Sequence, residues 1–143
     1  MRPANHTKAQ YHQNVLHLTI GGSSKQNGDR TPAVWIHPKK GVLFSSAVNG
    51  KSDYGVFCPE HLPKAGIWTR YEVRQVREEE EEKEEYIYAI SINGEEVHRL
   101  VNERPEVFSD VGVFASNPWD ANPHSPASLR NLKIESEVIG TRV

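Results

Sequence analysis

Residues 86–101 read YIYAISINGEEVHRLV. Two alternating runs flank Asn93-Gly94, and both central residues of a tight type I′ hairpin turn need positive φ, which Asn and Gly tolerate best. With these two as the loop, Ile92 faces Glu95, Ile90 faces Val97 and Tyr86 faces Val101. Successive side chains on a strand point to opposite faces. Tyr86, Tyr88, Ile90, Ile92, Val97 and Val101 therefore share one face, assigned to the core, and Ser91, Glu96 and His98 share the other.

The same signals recur outward from this hairpin. Asn14 to Ile20, Ala33 to Ile36, Val42 to Val48, Gly55 to Cys58, Trp68 to Arg77, Val107 to Ser116 and Leu129 to Glu135 are each rich in β-branched and aromatic residues. Turn formers bound them, among them Asn49-Gly50 and the proline-rich stretch 117–126. Leu16, Leu18 and Ile20 fall on one face of the first strand, with His17 and Thr19 on the other. About nine short strands without an amphipathic helix predict an all-β fold, an antiparallel β-sandwich. The expected organisation is a flexible N-terminal segment over 1–12, the sandwich over 13–137 and a C-terminal tail over 138–143.

A chain of 143 residues can bury a core as one domain without disulfides or a metal. Cys58 is the only cysteine, so no internal disulfide forms. No stretch approaches the roughly twenty apolar residues of a membrane helix, so membrane insertion is not expected. The first dozen residues lack the apolar segment of a signal peptide. Residues 78–85, EEEEEKEE, hold seven of nineteen acidic residues and one of seventeen basic ones, leaving sixteen basic against twelve acidic elsewhere. The run reads as an exposed hairpin tip whose charges discourage pairing between edge strands; calcium trapping or binding of a basic partner is the sharper alternative. No basic stripe interleaved with aromatics points to nucleic acid.

Gly66-Ile67-Trp68-Thr69-Arg70-Tyr71-Glu72-Val73 resembles the G-x-W-x-x-V-x-V strand of laminin G and related concanavalin A-like domains, in which the Trp caps the core. Ile90 to Gly94 and Leu129 to Ile134 are similar to the strand-and-turn and the closing strand of that family. Order and spacing agree over about half of the chain. The stretch VGVFASNPW, Val111 to Trp119, also resembles concanavalin-like modules in extracellular proteins of marine invertebrates. The resemblance implies a jelly-roll sandwich outside the cell that recognises glycans, matrix or other proteins, sometimes with calcium at a loop rim. Laminin G domains usually close with a disulfide, which a chain with Cys58 alone lacks.

Two groups of residues are candidate sites. The loop after Asn117 combines Trp119, an aromatic platform, with Asp120, Asn122 and His124, which suit stacking on a sugar ring, accepting hydroxyl hydrogen bonds or ligating calcium through oxygen. Asp120 and Asn122 are the candidate metal ligands. The bland alternative is that Trp119 packs over the sandwich end and the polar residues make turns. The second group is Asp29-Arg30, leading to Trp35 and His37, with Asn49, Asp53 and Tyr54 on a neighbouring turn. Loops sharing one end of a sandwich would form a shallow hydroxyl-reading site, and which loops share an end is open at this point.

An enzyme is not expected. A glycoside hydrolase on such a fold needs two carboxylates flanking the scissile bond, and Asp29, Asp53, Asp110 and Asp120 each sit in or beside a loop with no Glu at the required spacing. Cys58, near His61, reads as a small buried residue at a strand end, and the seven histidines lack zinc spacing. The leading expectation is a noncatalytic recognition module binding a glycan or an extracellular protein. A self-assembly domain, dimerising through sheet edges, is second, and a glycoside hydrolase-like enzyme third.

Overall fold

The computed structural model describes residues 13–21, 26–37, 39–115, 118–119 and 128–135, with only the backbone of Glu80. Among them are eight strands and no helix: β1 Gln13–Thr19, β2 Ala33–His37, β3 Gly41–Val48, β4 Lys51–Cys58, β5 Tyr71–Glu80, β6 Lys83–Ile92, β7 Glu95–Val101 and β8 Gly112–Phe114. They form a five-stranded antiparallel sheet in the order β4-β3-β2-β1-β8 and a three-stranded antiparallel sheet in the order β5-β6-β7. The expected all-β, antiparallel architecture is present.

Two hairpin turns follow from Asn-Gly pairs. Asn49 and Gly50 have φ of 53° and 76°, and Asn93 and Gly94 have 51° and 83°, the left-handed pair a type I′ turn requires. The third turn is chemically unsuited: Glu81 and Glu82 take φ of 44° and 67°, where a Cβ is disfavoured. Around it the acidic run is not a bare loop. Glu78 to Glu80 extend β5 and pair with Lys83 to Glu85 of β6. Arg77 reaches Glu79 and Glu84, Arg99 reaches Glu78, and Lys83 reaches Glu85.

The inner faces supply one core. Val34, Ile36, Val42, Phe44, Val48, Val56 and Cys58 from the larger sheet meet Tyr88, Ile90 and Ile92 from the smaller. Edge-to-face rings join the layers, Phe44 on Tyr71 at 5.7 Å and Tyr54 on Tyr88 at 5.9 Å. At one end a polar clamp adds to them. The buried Asn102 accepts the Asn49 and Arg104 backbone N–H groups at 3.0 and 3.1 Å and donates to Gln75 Oε1 at 3.1 Å, while Gln75 donates to Ser46 Oγ at 3.0 Å. On the outer face of the smaller sheet, Arg74 bridges Glu72 and Glu96, and Arg99 bridges Glu96 and Glu78. This charged ladder lies on the face shared with Ala89 and Ile87, which are themselves buried.

Several expectations are corrected. Ile92 does face Glu95, but Ser91 faces Glu96 and Ile90 faces His98, so Val97 is an extra residue, a β-bulge. The slip turns His98 inward, opposite Ile90, and brings Leu100 rather than Val101 onto the core. Val101 faces Ile87 on the outer side, 40% exposed. Of Val107 to Ser116, Gly112 to Phe114 pair with β1 and the rest of the described part does not. Leu129 to Glu135 forms no strand: Asn131 breaks the extended run with φ of 53°, and Leu132 and Ile134 are about half exposed. Trp68 does not cap the core; it is half exposed and carries the Arg130 guanidinium 4.0 Å above its ring.

Candidate functional site

The outer face of the five-stranded sheet is built in cross-strand rows. Phe57, Leu43 and Trp35 are register partners across β4, β3 and β2, on the side opposite the core residues Val42, Phe44 and Val34. The next row runs Gly55, Ser45, Ala33, His17 and Phe114, from β4 to β8. Its middle is made of small residues, and Ala33, Ser45 and His17 are buried although they face away from the core. Trp119 packs on His17 of that row, and Arg30 lies between Trp119 and Trp35 of the first.

Arg30 is fixed by its main chain, whose carbonyl accepts the Ala47 N–H at 3.2 Å. Its guanidinium carbon lies 5.2 Å from the Trp35 ring centroid and 5.7 Å from that of Trp119, within cation–π range of both. One guanidinium nitrogen is 4.0 Å from Asp53, whose side chain is well exposed. Trp119 also packs edge-on against His17, with centroids 4.5 Å apart, and His17 packs against Trp35 at 5.8 Å. Aromatic faces, a guanidinium and an exposed carboxylate thus share one shallow surface, with Phe57 46% exposed at its side.

His17 anchors this surface from below. Its Nε2 lies 2.7 Å from the Asp29 backbone oxygen and its Nδ1 3.1 Å from Asn14 Oδ1. Asn14 and His17, three residues apart, would lie on opposite faces of a regular strand. A register shift between Asn14 and Leu16 brings them to the same side. Burial opposes a charge on the His17 ring and pulls its pKa below the ordinary imidazole value; the Asp29 carbonyl works against that, Arg30 reinforces it, and the Asp29 carboxylate again opposes it.

The residues named from sequence divide clearly. Arg30 and Trp119 from two separate loops, Trp35 from β2 and Asp53 from β4 come together, with Asp29 beneath them through His17. Asp29 is buried and its carboxylate accepts the Gln26 N–H at 2.9 Å, closing a turn. His37 closes the β2–β3 turn, its Nδ1 accepting the Lys39 and Lys40 N–H groups at 3.1 Å. Asn49 serves the polar clamp, accepting the Glu103 N–H at 2.6 Å and donating to the Val101 carbonyl at 3.3 Å. Tyr54 points between the sheets, its hydroxyl 3.1 Å from His98 Nε2. Asp120, Asn122 and His124 lie outside the described residues, and with them the calcium expectation. Among the described residues no group of three or more His, Cys, Asp or Glu side chains is placed to hold a metal. Burial pushes the Cys58 thiol pKa up, with Glu60 adding to it, so this sulfur stays protonated. Sequence reasoning missed His17, because the bulge that makes its pocket has no local signature.

Against known protein families, curated proteins and solved structures, the chain finds no match.

Proposed function

We propose that the protein is a noncatalytic recognition module that binds carbohydrate on the outer face of its five-stranded sheet, in a concanavalin A-like, jelly-roll setting outside the cell. The observation that carries this is the Arg30 guanidinium held between Trp35 and Trp119 beside the exposed Asp53. Indole faces stack on the apolar side of a pyranose ring, while guanidinium and carboxylate groups donate to and accept from its hydroxyls. Much of the surface is ordered before a ligand arrives, which lowers the cost of binding. A glycan array, run with calcium and with a chelator, is the direct test, with Trp35→Ala as the control. Binding by the native chain that Trp35→Ala abolishes supports the proposal, and dependence on calcium would add a metal at the loop after Trp119. Absence of binding to every glycan removes it.

Self-assembly through sheet edges is the second proposal. It is favoured by β4, which ends the larger sheet with no described strand beyond it and carries the exposed Phe57. Light scattering over a range of concentrations separates a dimer from a monomer.

A further inference from the structure

Arg30 is tied through its carbonyl to Ala47, two residues after Ser45 on β3. Its guanidinium reaches Trp35, which pairs with Leu43, two residues before Ser45. The side chain therefore passes Ser45 on the outer face of the sheet, with Asp53 of β4 to one side. Two polar atoms lack partners there. The Ser45 hydroxyl belongs to a residue only 2% exposed, and the Arg30 Nε is buried as well; neither has a hydrogen-bond partner among the described residues. Arg30 Nη1 stands 4.0 Å from the Asp53 carboxylate, beyond hydrogen-bond reach. The Trp35 and Trp119 indoles attract the cation but offer it no acceptor oxygen. A buried donor left unpaired is costly, more so when it is charged. The fold thus presents a guanidinium short of an anionic oxygen, beside a hydroxyl able to donate to the same group.

The way in lies across Gly55, the register partner of Ser45. Gly55 is exposed, its φ is not left-handed, and a Cβ built on it would meet only Leu43 at 3.6 Å and the Asp53 carbonyl at 3.8 Å, both ordinary contacts. The backbone does not require glycine at this position, and glycine weakens a strand. The missing side chain leaves an opening from the free side of β4 towards Ser45 and Arg30, with Asp53 and Phe57 at its two borders.

We propose that this opening is a subsite for the carboxylate of an acidic saccharide of the uronic acid type, which enters over Gly55, pairs with Arg30 and accepts from the Ser45 hydroxyl. A planar carboxylate matches the fork of a guanidinium, and a bond between two charged groups is stronger than one to a neutral sugar hydroxyl. Asp53 is then a competitor for Arg30. Its side chain is 63% exposed, so it turns to water as the ligand arrives, and its like charge opposes the incoming acid. The sugar in this inference rests on the carbohydrate proposal; the carboxylate contact rests on Arg30 and Ser45 alone.

The test titrates the native chain with a short oligogalacturonate, with the same oligosaccharide after reduction of its carboxylates to primary alcohols, and with polyglutamate. Calorimetry reads affinity and NMR follows the Arg30 Nε–H resonance. The acidic oligosaccharide should bind about tenfold or more tighter than its reduced form, the difference one charge-assisted hydrogen bond makes, and should shift the Arg30 resonance. Asp53→Asn should tighten that binding. Gly55→Val should abolish it while leaving Tm unchanged or raised, since a β-branched residue suits a strand. Equal binding of the two oligosaccharides, an Arg30 resonance indifferent to the ligand, weaker binding by Asp53→Asn, or a folded Gly55→Val chain that binds as the native one does overturns the subsite. Binding of the reduced oligosaccharide would then leave the carbohydrate reading standing. Polyglutamate bound as tightly as the oligogalacturonate removes the sugar and leaves the carboxylate contact, and no binding of any of the three overturns both.

Discussion

Replacing Asn102 with Ala should destabilise the fold more than any single exposed ion pair would. Asn102 is 2% exposed and makes three side-chain hydrogen bonds, two accepted from the Asn49 and Arg104 backbones and one donated to Gln75. The bonds join the β3–β4 turn, the end of β7 and, through Gln75, β5 to Ser46 of β3. A hydrogen bond contributes about 1 kcal/mol net, and a buried group left unpaired costs about 1–3 kcal/mol. Asn49 and Arg104 are exposed residues, so water can reach their freed N–H groups. The loss should therefore be about 3 kcal/mol, toward the lower end of what three orphaned groups would give. For a domain of this size that lowers Tm by roughly 10 °C. Urea unfolding of the native chain, Asn102→Ala, Gln75→Ala and the double variant measures both the loss and the coupling between the two side chains. A loss below about 1 kcal/mol, or full additivity with Gln75→Ala, would refute the clamp.

Two further outcomes follow from local chemistry. Changing Glu81-Glu82 to Asn-Gly should stabilise the protein by about 1–2 kcal/mol, because both positions are left-handed and β-carbons are disfavoured there; chemical denaturation reads the gain, and no gain would mean that the turn is differently shaped. Burial pulls the His98 pKa below its ordinary 6.5, so the unfolded chain takes up that proton first. The contribution of His98 is whole above about pH 6.5 and is lost as pH falls through the folded value. His98→Gln should flatten this acid limb in a stability–pH profile, and an unchanged slope would show that His98 does not govern it.

The hairpin was legible because Asn93-Gly94 carries its turn in two residues and its strands alternate. The slip at Val97 was not, since an extra residue in a strand is decided by what each side chain meets across the core. That is why His98, polar and assigned outward, ends beside Tyr54 and Tyr88. Leu129 to Glu135 shows the opposite failure: Leu132 and Ile134 are spaced as on one face of a strand, yet a strand needs a partner that local pattern does not supply. At the site, Arg30, Asp53 and Trp119 were recognisable by type. Their meeting depends on the strand order β4-β3-β2-β1-β8, which is set by long-range pairing and which no short window contains.

The central claim, that the outer face of the larger sheet is the recognition surface, is tested most directly by mapping NMR shift changes while titrating a glycan selected on an array. The changes should centre on Trp35, Arg30, Asp53, Trp119 and Phe57 and leave the charged ladder of Arg74 and Arg99 untouched. Changes gathered on that ladder, or on the strand edges alone, would contradict it.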